Sequence, residues 1–332
     1  MNQLTDWHHS PRYQVIRYAL AILGLIMLLL SCHPGPKNTL RVATIPWPGY
    51  ESLHLAQSLG YFDESSIRLV EMVNNGQAST AIRNNTVDAA MLTLDETLAL
   101  LQDGVDLRVI LVMDISNGAD VVMARPDIAN LQALRGKRIA VDNAAVGALM
   151  LDAMLNASGL DVHDITLVSK TVNEHTEAYL KQQVDAVITF EPVRSKLLQH
   201  GARILFDSSQ IPGRIIDVLV VRADAMTQHK QALKSLVAAH FKALDYQARQ
   251  PDDAARRIAP YLGIKQDAVF TQYTGLKIPQ LSDNHALLAN SPAELKTTAT
   301  QLANLMQQRH LLQRPIDISR LAEPMFLPPK SK

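Results

Sequence analysis

The sequence predicts an α/β protein of two lobes with mainly parallel sheets. Three observations carry this. From Leu40 onward, short apolar runs of strand length alternate with amphipathic helical stretches. The alternation starts afresh near Leu131, after Arg125-Pro126. The chain has 332 residues, 47% hydrophobic and 19% charged, which suits two ordinary globular domains.

In chain order, 40–45 reads as a strand and 51–59 as a helix stopped by Gly60. Strands over 67–72, 89–92 and 109–112 alternate with helices over 78–85 and 94–102. The second series has strands over 138–141, 165–168, 186–189 and 203–206, and helices over 146–158, 174–183 and 192–200. Asp217 to Arg222 reads as the last strand. The remainder is polar and helical, with breaks at Pro251, at 260–263 and at Pro279. The economical arrangement is lobe 1 from 38–125 plus 223–332, with lobe 2, 126–222, inserted. Two chain crossings, near Arg125-Pro126 and near Arg222, then form a hinge. No tandem sequence repeat is evident.

Residues 1–32 read as a targeting segment. Arg12 and Arg17 precede a nearly unbroken apolar run from Tyr18 to Leu30. That run is shorter than the roughly 20 residues of a membrane span. It ends in Leu29-Leu30-Ser31-Cys32, which resembles the bacterial lipobox. The resemblance implies cleavage before Cys32 and lipidation of that residue, hence a periplasmic protein anchored to the inner or outer membrane. A linker over 33–39 follows. Cys32 is the only cysteine, so neither a disulfide framework nor a multi-cysteine metal site is available. Lys+Arg and Asp+Glu are both 32, without a basic cluster, which speaks against nucleic-acid binding.

Several short motifs then point to a family. Ile45-Pro46-Trp47-Pro48-Gly49-Tyr50, followed by Gly60-Tyr61-Phe62-Asp63-Glu64, resembles the opening of the nitrate, sulfonate, taurine and thiamine-precursor binding proteins of bacterial importers. Val87-Asp88-Ala89-Ala90, the run Leu134 to Val141, and Val184-Asp185-Ala186-Val187 with Glu191-Pro192 match further family motifs in the right order. The resemblance implies a type II periplasmic-binding fold that closes on a ligand by a hinge. One departure is that no arginine cluster occupies the turns where anion binders hold their ligand.

Ligands of open α/β sheets sit beyond the carboxyl ends of strands. The first such turn offers Trp47 and Tyr50, with Trp47 suited to stacking on a flat or cationic ligand. Thr93 follows another strand, and Asp95 is placed to cap the helix there. Ser116, Asn117 and Asp120 lie in a turn that can hydrogen-bond a ligand or pair with a cation. In the second lobe, Asn143 precedes a helix as a ligand contact or a cap. Glu191 stands at another helix start, and Asp217 begins a strand. If Glu191 and Asp217 both face the cleft, the pocket is rich in carboxylates and favours an amine or a hydrogen-bond-donating heterocycle.

No phosphate loop, zinc motif or hydrolase elbow is present, and no cofactor, metal or catalytic residue is expected. A thiamine-pyrimidine synthase of related fold carries a cysteine-rich run that this chain lacks. The expectation is a monomeric solute-binding lipoprotein, not an enzyme, that delivers a small polar ligand, an amine, a pyrimidine-like heterocycle or a sulfonate, to an ABC permease and ATPase. A ligand-loaded partner of a membrane sensor kinase or cyclic-nucleotide enzyme is the alternative.

Overall fold

The structure, a computed structural model, describes residues 39–290 and 293–330. The targeting segment, Cys32 and the linker up to residue 38 lie outside the described residues.

Two mixed sheets form the framework. The first has strand order β11-β4-β10-β3-β1-β2, with β1 Leu40–Thr44, β2 Ile67–Glu71, β3 Ala89–Thr93, β4 Leu107–Ser116, β10 Ile216–Arg222 and β11 Leu276–Lys277. The second has order β7-β6-β8-β5-β9, with β5 Val121–Ala124, β6 Arg138–Val141, β7 Thr166–Ser169, β8 Ala186–Thr189 and β9 Arg203–Asp207. The expected parallel pairing holds for β1 with β2 and β3, and for β6 with β7 and β8. The other pairings are antiparallel: β10 with β3 and β4, β11 with β4, and β5 with β8 and β9.

Strands change sheet at residues 117–120 and 208–215, rather than at Arg125-Pro126 and Arg222. β5 completes the second sheet, and β10 is fully flanked inside the first. Apolar runs with no polar alternation, such as Val218-Leu219-Val220-Val221, fit a central strand buried on both faces. The two-residue β11 was invisible in a stretch that reads as helical.

The helices are α1 Glu51–Ser58, α2 Asn75–Arg83, α3 Leu94–Gln102, α4 Ala145–Ser158, α5 Val172–Leu180, α6 Val193–Gln199, α7 Ala225–Gln228, α8 Lys230–Arg249, α9 Pro251–Leu262, α10 Leu281–Ala289 and α11 Glu294–Gln308. Pro251 opens α9, where a missing N–H costs nothing, but Pro260 does not break it; the helix runs on to Gly263. Asn74 caps α2 by accepting from the Gln77 N–H at 3.0 Å. Among the described residues no helix is long and apolar enough to cross a membrane.

The two sheets share one local device. Near the start of β1, the Arg41 N–H and Nε donate to Asp88 Oδ2 and its Nη2 to Asp88 Oδ1 and Asn85 O. Near the start of β6, Arg138 does the same with Asp185 and Gln182 O. Both pairs are separated by 47 residues. In each sheet an aspartate one residue before a strand ties that strand to its parallel neighbour, so the lobes repeat a local plan, carried by Val87-Asp88-Ala89 in one and Val184-Asp185-Ala186 in the other.

Candidate functional site

The strand directions bring distant residues to one edge. β1, β2 and β3 end there with Ile45, Asn75 and Thr93 nearby. β10 runs the opposite way, so its first residues, Ile216 and Asp217, reach the same edge, opposite Ile115 and Asp114 of β4. In the second sheet Val121 pairs with Thr189, which brings Asp120 beside the end of β8.

Three cavities share this region. An inner chamber of about 20 Å³ is lined by Trp47, Tyr50, Thr93, Asp120 and Asp217, together with Ile45, Asn75, Val146, Phe190 and Ile215. A second small space, about 10 Å³, reaches Asp142 and Thr189. An outer chamber of about 380 Å³ runs past Val73, Val172, Phe190, Pro192 and Tyr261. Ile45, Asn75 and Phe190 border both the inner and the outer chamber.

Two carboxyl groups, Asp120 and Asp217, line the inner chamber, and Asp114 pairs with Asp217 across the neighbouring strand. Trp47 Nε1 donates to Asp114 Oδ2 at 3.0 Å, and the Tyr50 hydroxyl donates to Asp217 Oδ1. Burial pushes Asp114 up to about 7, against the Trp47 hydrogen bond. Asp217 is held well above the usual carboxylate range by burial and by the charge of Asp114. Asp120, 4% exposed, is pushed up to about 6 by burial, and its Oδ2 has no hydrogen-bond partner. Behind the chamber Asp95 is pushed up to about 7, chiefly by burial and then by Glu96. Among the described residues no lysine, arginine or histidine lines either small chamber.

Gly49 makes the Trp47–Asp114 contact possible. A Cβ on it would stand 1.7 Å from Asp114 Oδ2 and 2.8 Å from Trp47 Nε1. Trp47 is 4% exposed and meets Phe190 edge-on, with ring centroids 5.4 Å apart. The first sheet's loop thus touches the end of β8.

The structure thus groups Trp47, Tyr50, Thr93, Asp120 and Asp217 around one space. The other expected contacts go elsewhere. Ser116 is buried, with its Oγ 2.7 Å from Ser208 Oγ and accepting from the Asp120 N–H at 3.2 Å; it ties the two chain crossings together. Asn117 donates its N–H to Gly275 O at 2.7 Å and lines none of the three cavities. Asn143 is exposed and is not a cap, because α4 starts one residue later, after Ala144. Asp142 lines the second space instead, and its carboxylate accepts from the N–H groups of Ala144 and Val172. Glu191 lines the outer chamber, but its carboxylate is already engaged by Arg194 Nη1 at 2.8 Å and by Ser195 Oγ and N–H. It anchors the start of α6 and brings no free charge. The cap of α3 is Thr93, in a reciprocal pair with Glu96, rather than Asp95.

Sequence reasoning missed Asn75, Asp114 and Phe190. Asn75 follows β2 in Asn74-Asn75-Gly76, a strand-to-helix turn that the topological rule already favours. Phe190 adjoins Glu191, and only the fold selects between them. Asp114 lies near the end of the apolar strand β4, where an acidic residue among buried neighbours is itself a signal.

Among the described residues no group of three or more histidine, cysteine, aspartate or glutamate side chains is arranged to hold a metal ion. In sequence, the chain is 24% identical to a protein of Haemophilus influenzae named for thiamine biosynthesis, over 93% of this chain and 98% of that one. In fold it is similar to the alkanesulfonate-binding protein SsuA of Xanthomonas axonopodis pv. citri bound to MOPS, with a TM-score of 0.71 and 19% identity over 85% of this chain and 96% of that one. It is also similar to the desulfurization enzyme DszB, with a TM-score of 0.64 and 20% identity over 87% and 97%. One fold therefore carries both a binder and an enzyme, and the site must separate them. The model of the NMT1/THI5 like family matches residues 47–254, and this chain belongs to that family.

Proposed function

We propose that this chain is an extracytoplasmic solute-binding lipoprotein that captures a small ligand rich in hydrogen-bond donors, an amine or a pyrimidine-like heterocycle, and passes it to an ABC importer. The observation that carries the ligand class is the inner chamber: Asp120 and Asp217 face it, Asp120 Oδ2 lacks a partner, and no basic side chain borders it. A cationic or donor group there meets acceptors already stripped of water, whereas a sulfonate meets carboxyl oxygens without a compensating arginine. Trp47 and Phe190 supply apolar contact beside those acceptors.

Among the described residues no serine, cysteine or histidine borders any of the three cavities, so a Ser–His or Cys–His pair has no members there. Placement in the periplasm, on a membrane anchor at Cys32, rests on the targeting segment and the likeness to periplasmic binders. The lobes close as two bodies joined by 117–120 and 208–215, which puts the cavity between them.

A calorimetric and thermal-shift panel of amines, aminopyrimidines, alkanesulfonates and nitrate tests the reading. Binding confined to amines or amino-heterocycles is expected; binding confined to the oxyanions overturns it.

A further inference from the structure

The two adjoining chambers, which share Ile45, Asn75 and Phe190 in their walls, differ in size and chemistry, and that difference specifies the ligand further than its donor character. The inner one, about 20 Å³, has room for about one water-sized group, since a single water needs roughly 10–15 Å³ measured this way. Its polar lining is Asp120, Asp217, Thr93, Tyr50 and Asn75, and Asp120 Oδ2 is buried without a partner. The outer chamber, about 380 Å³, is lined mainly by apolar surface from Ile45, Val73, Val172, Phe190, Pro192 and Tyr261. Its two charged lining groups are Glu191, already neutralised by Arg194, and Lys196.

We propose that the site takes an elongated amphiphile: one unsubstituted amino group seated in the inner chamber, and an apolar chain or ring of several carbons in the outer chamber. The proposal rests on the reading that donors face the carboxyl cluster, and it adds the shape. A primary ammonium matches the size of the inner space and can donate to several of its oxygens at once. A trimethylated nitrogen neither fits nor donates. A compact diamine or amino acid leaves the outer chamber's apolar walls wet, and each carbon placed there contributes through removal of that surface from water.

The experiment is isothermal calorimetry of the purified full chain with a series of n-alkylamines from ethylamine to octylamine. Hexyltrimethylammonium and hexanesulfonate serve as matched controls. Affinity is expected to rise about threefold per added methylene until the chamber is filled, slightly under the fully buried value because Val73 leaves it open to solvent. The two controls are expected not to bind. Val172→Asp and Val73→Asp, each checked by thermal melting, are expected to flatten the series; aspartate suits the first turn of α5, so the former is tolerated locally. Amines that bind with no dependence on chain length, or a trimethylated chain that binds as well as the primary amine, overturn this inference and leave the donor reading standing. A series in which no amine binds overturns this inference, and binding of hexanesulfonate with no binding of any amine overturns both readings.

Discussion

Asp114 and Asp217 face each other across adjacent antiparallel strands, each capped by an aromatic donor, Trp47 Nε1 on one and the Tyr50 hydroxyl on the other. Two buried carboxyl groups at the same level cannot both ionise cheaply, so the pair retains a proton at neutral pH. The first loop is thereby stitched to β4 and β10, and the wall of the inner chamber is set before any ligand arrives.

That stitching depends on residue 49 having no side chain. Gly49→Ala places a methyl group inside the Trp47–Asp114 contact. It is expected to lower stability by about 1–3 kcal/mol, the usual cost of overpacking, and to abolish ligand binding. Denaturant titration and calorimetry check both effects; a variant with unchanged midpoint and affinity contradicts the geometry.

Asp120→Asn tests the unpartnered acceptor. The side chain keeps its volume and loses its charge, so the fold is expected to persist. Affinity for a cationic ligand is expected to drop about a hundredfold or more, as when a buried charge loses its partner. Equal affinity for wild type and variant rules Asp120 out as the cation's seat.

The buried carboxyls also give the ligand-free protein a pH signature. Asp95 and Asp114 are pushed up to about 7 and Asp120 to about 6, all by burial. In the unfolded chain such groups titrate near about 4. Their stabilising proton uptake is therefore complete below about 4 and lost as pH rises through about 6 to 7. His240 opposes this: burial lowers it to about 3, so the unfolded chain takes up its proton first and stability falls as pH drops below about 6.5. His175 is lowered by burial as well, and three carboxyls outweigh the two imidazoles. Scanning calorimetry is expected to show the melting temperature rising from about pH 8 to about pH 5; a fall over that range contradicts the burial of these groups in the folded chain.

Two contacts cross between the lobes away from the cavity. Gln272 Nε2 donates to Ser195 Oγ at 2.9 Å, and Arg309 reaches Asp152 and Asn156 at 3.1 and 3.0 Å. Gln272 is 1% exposed while the Arg309 side chain is 44% exposed, so solvent screens the second contact and not the first. If closure is what holds the ligand, Gln272→Ala weakens binding by about fivefold and Arg309→Ala by less than about twofold. Calorimetry of both variants checks the order; a larger effect at Arg309 refutes it.

Cys32→Ala is expected to move the protein from the membrane fraction to the soluble fraction, since several acyl chains on one residue make a stable anchor. Fractionation with metabolic lipid labelling checks it, and a variant that stays membrane-bound removes Cys32 as the attachment point.

The sequence by itself determined the repeating strand and helix order, because burial on both faces writes continuous apolar runs and because caps and prolines mark helix starts locally. It also determined the family and five of the residues that meet in one chamber: Trp47, Tyr50, Thr93, Asp120 and Asp217. Tertiary structure decided which strands run antiparallel, and so where the chain passes between sheets. Strand direction depends on partners far along the chain, and no local pattern encodes it. The same non-local pairing set Asp114 against Asp217 and turned Glu191 toward Arg194 and Ser195. It left Asn143 exposed and moved Ser116 from ligand contact to a tie between the crossings. Residue type and a nearby turn identify a group able to bind; whether its lone pairs are free is fixed only when the chain has chosen its neighbours.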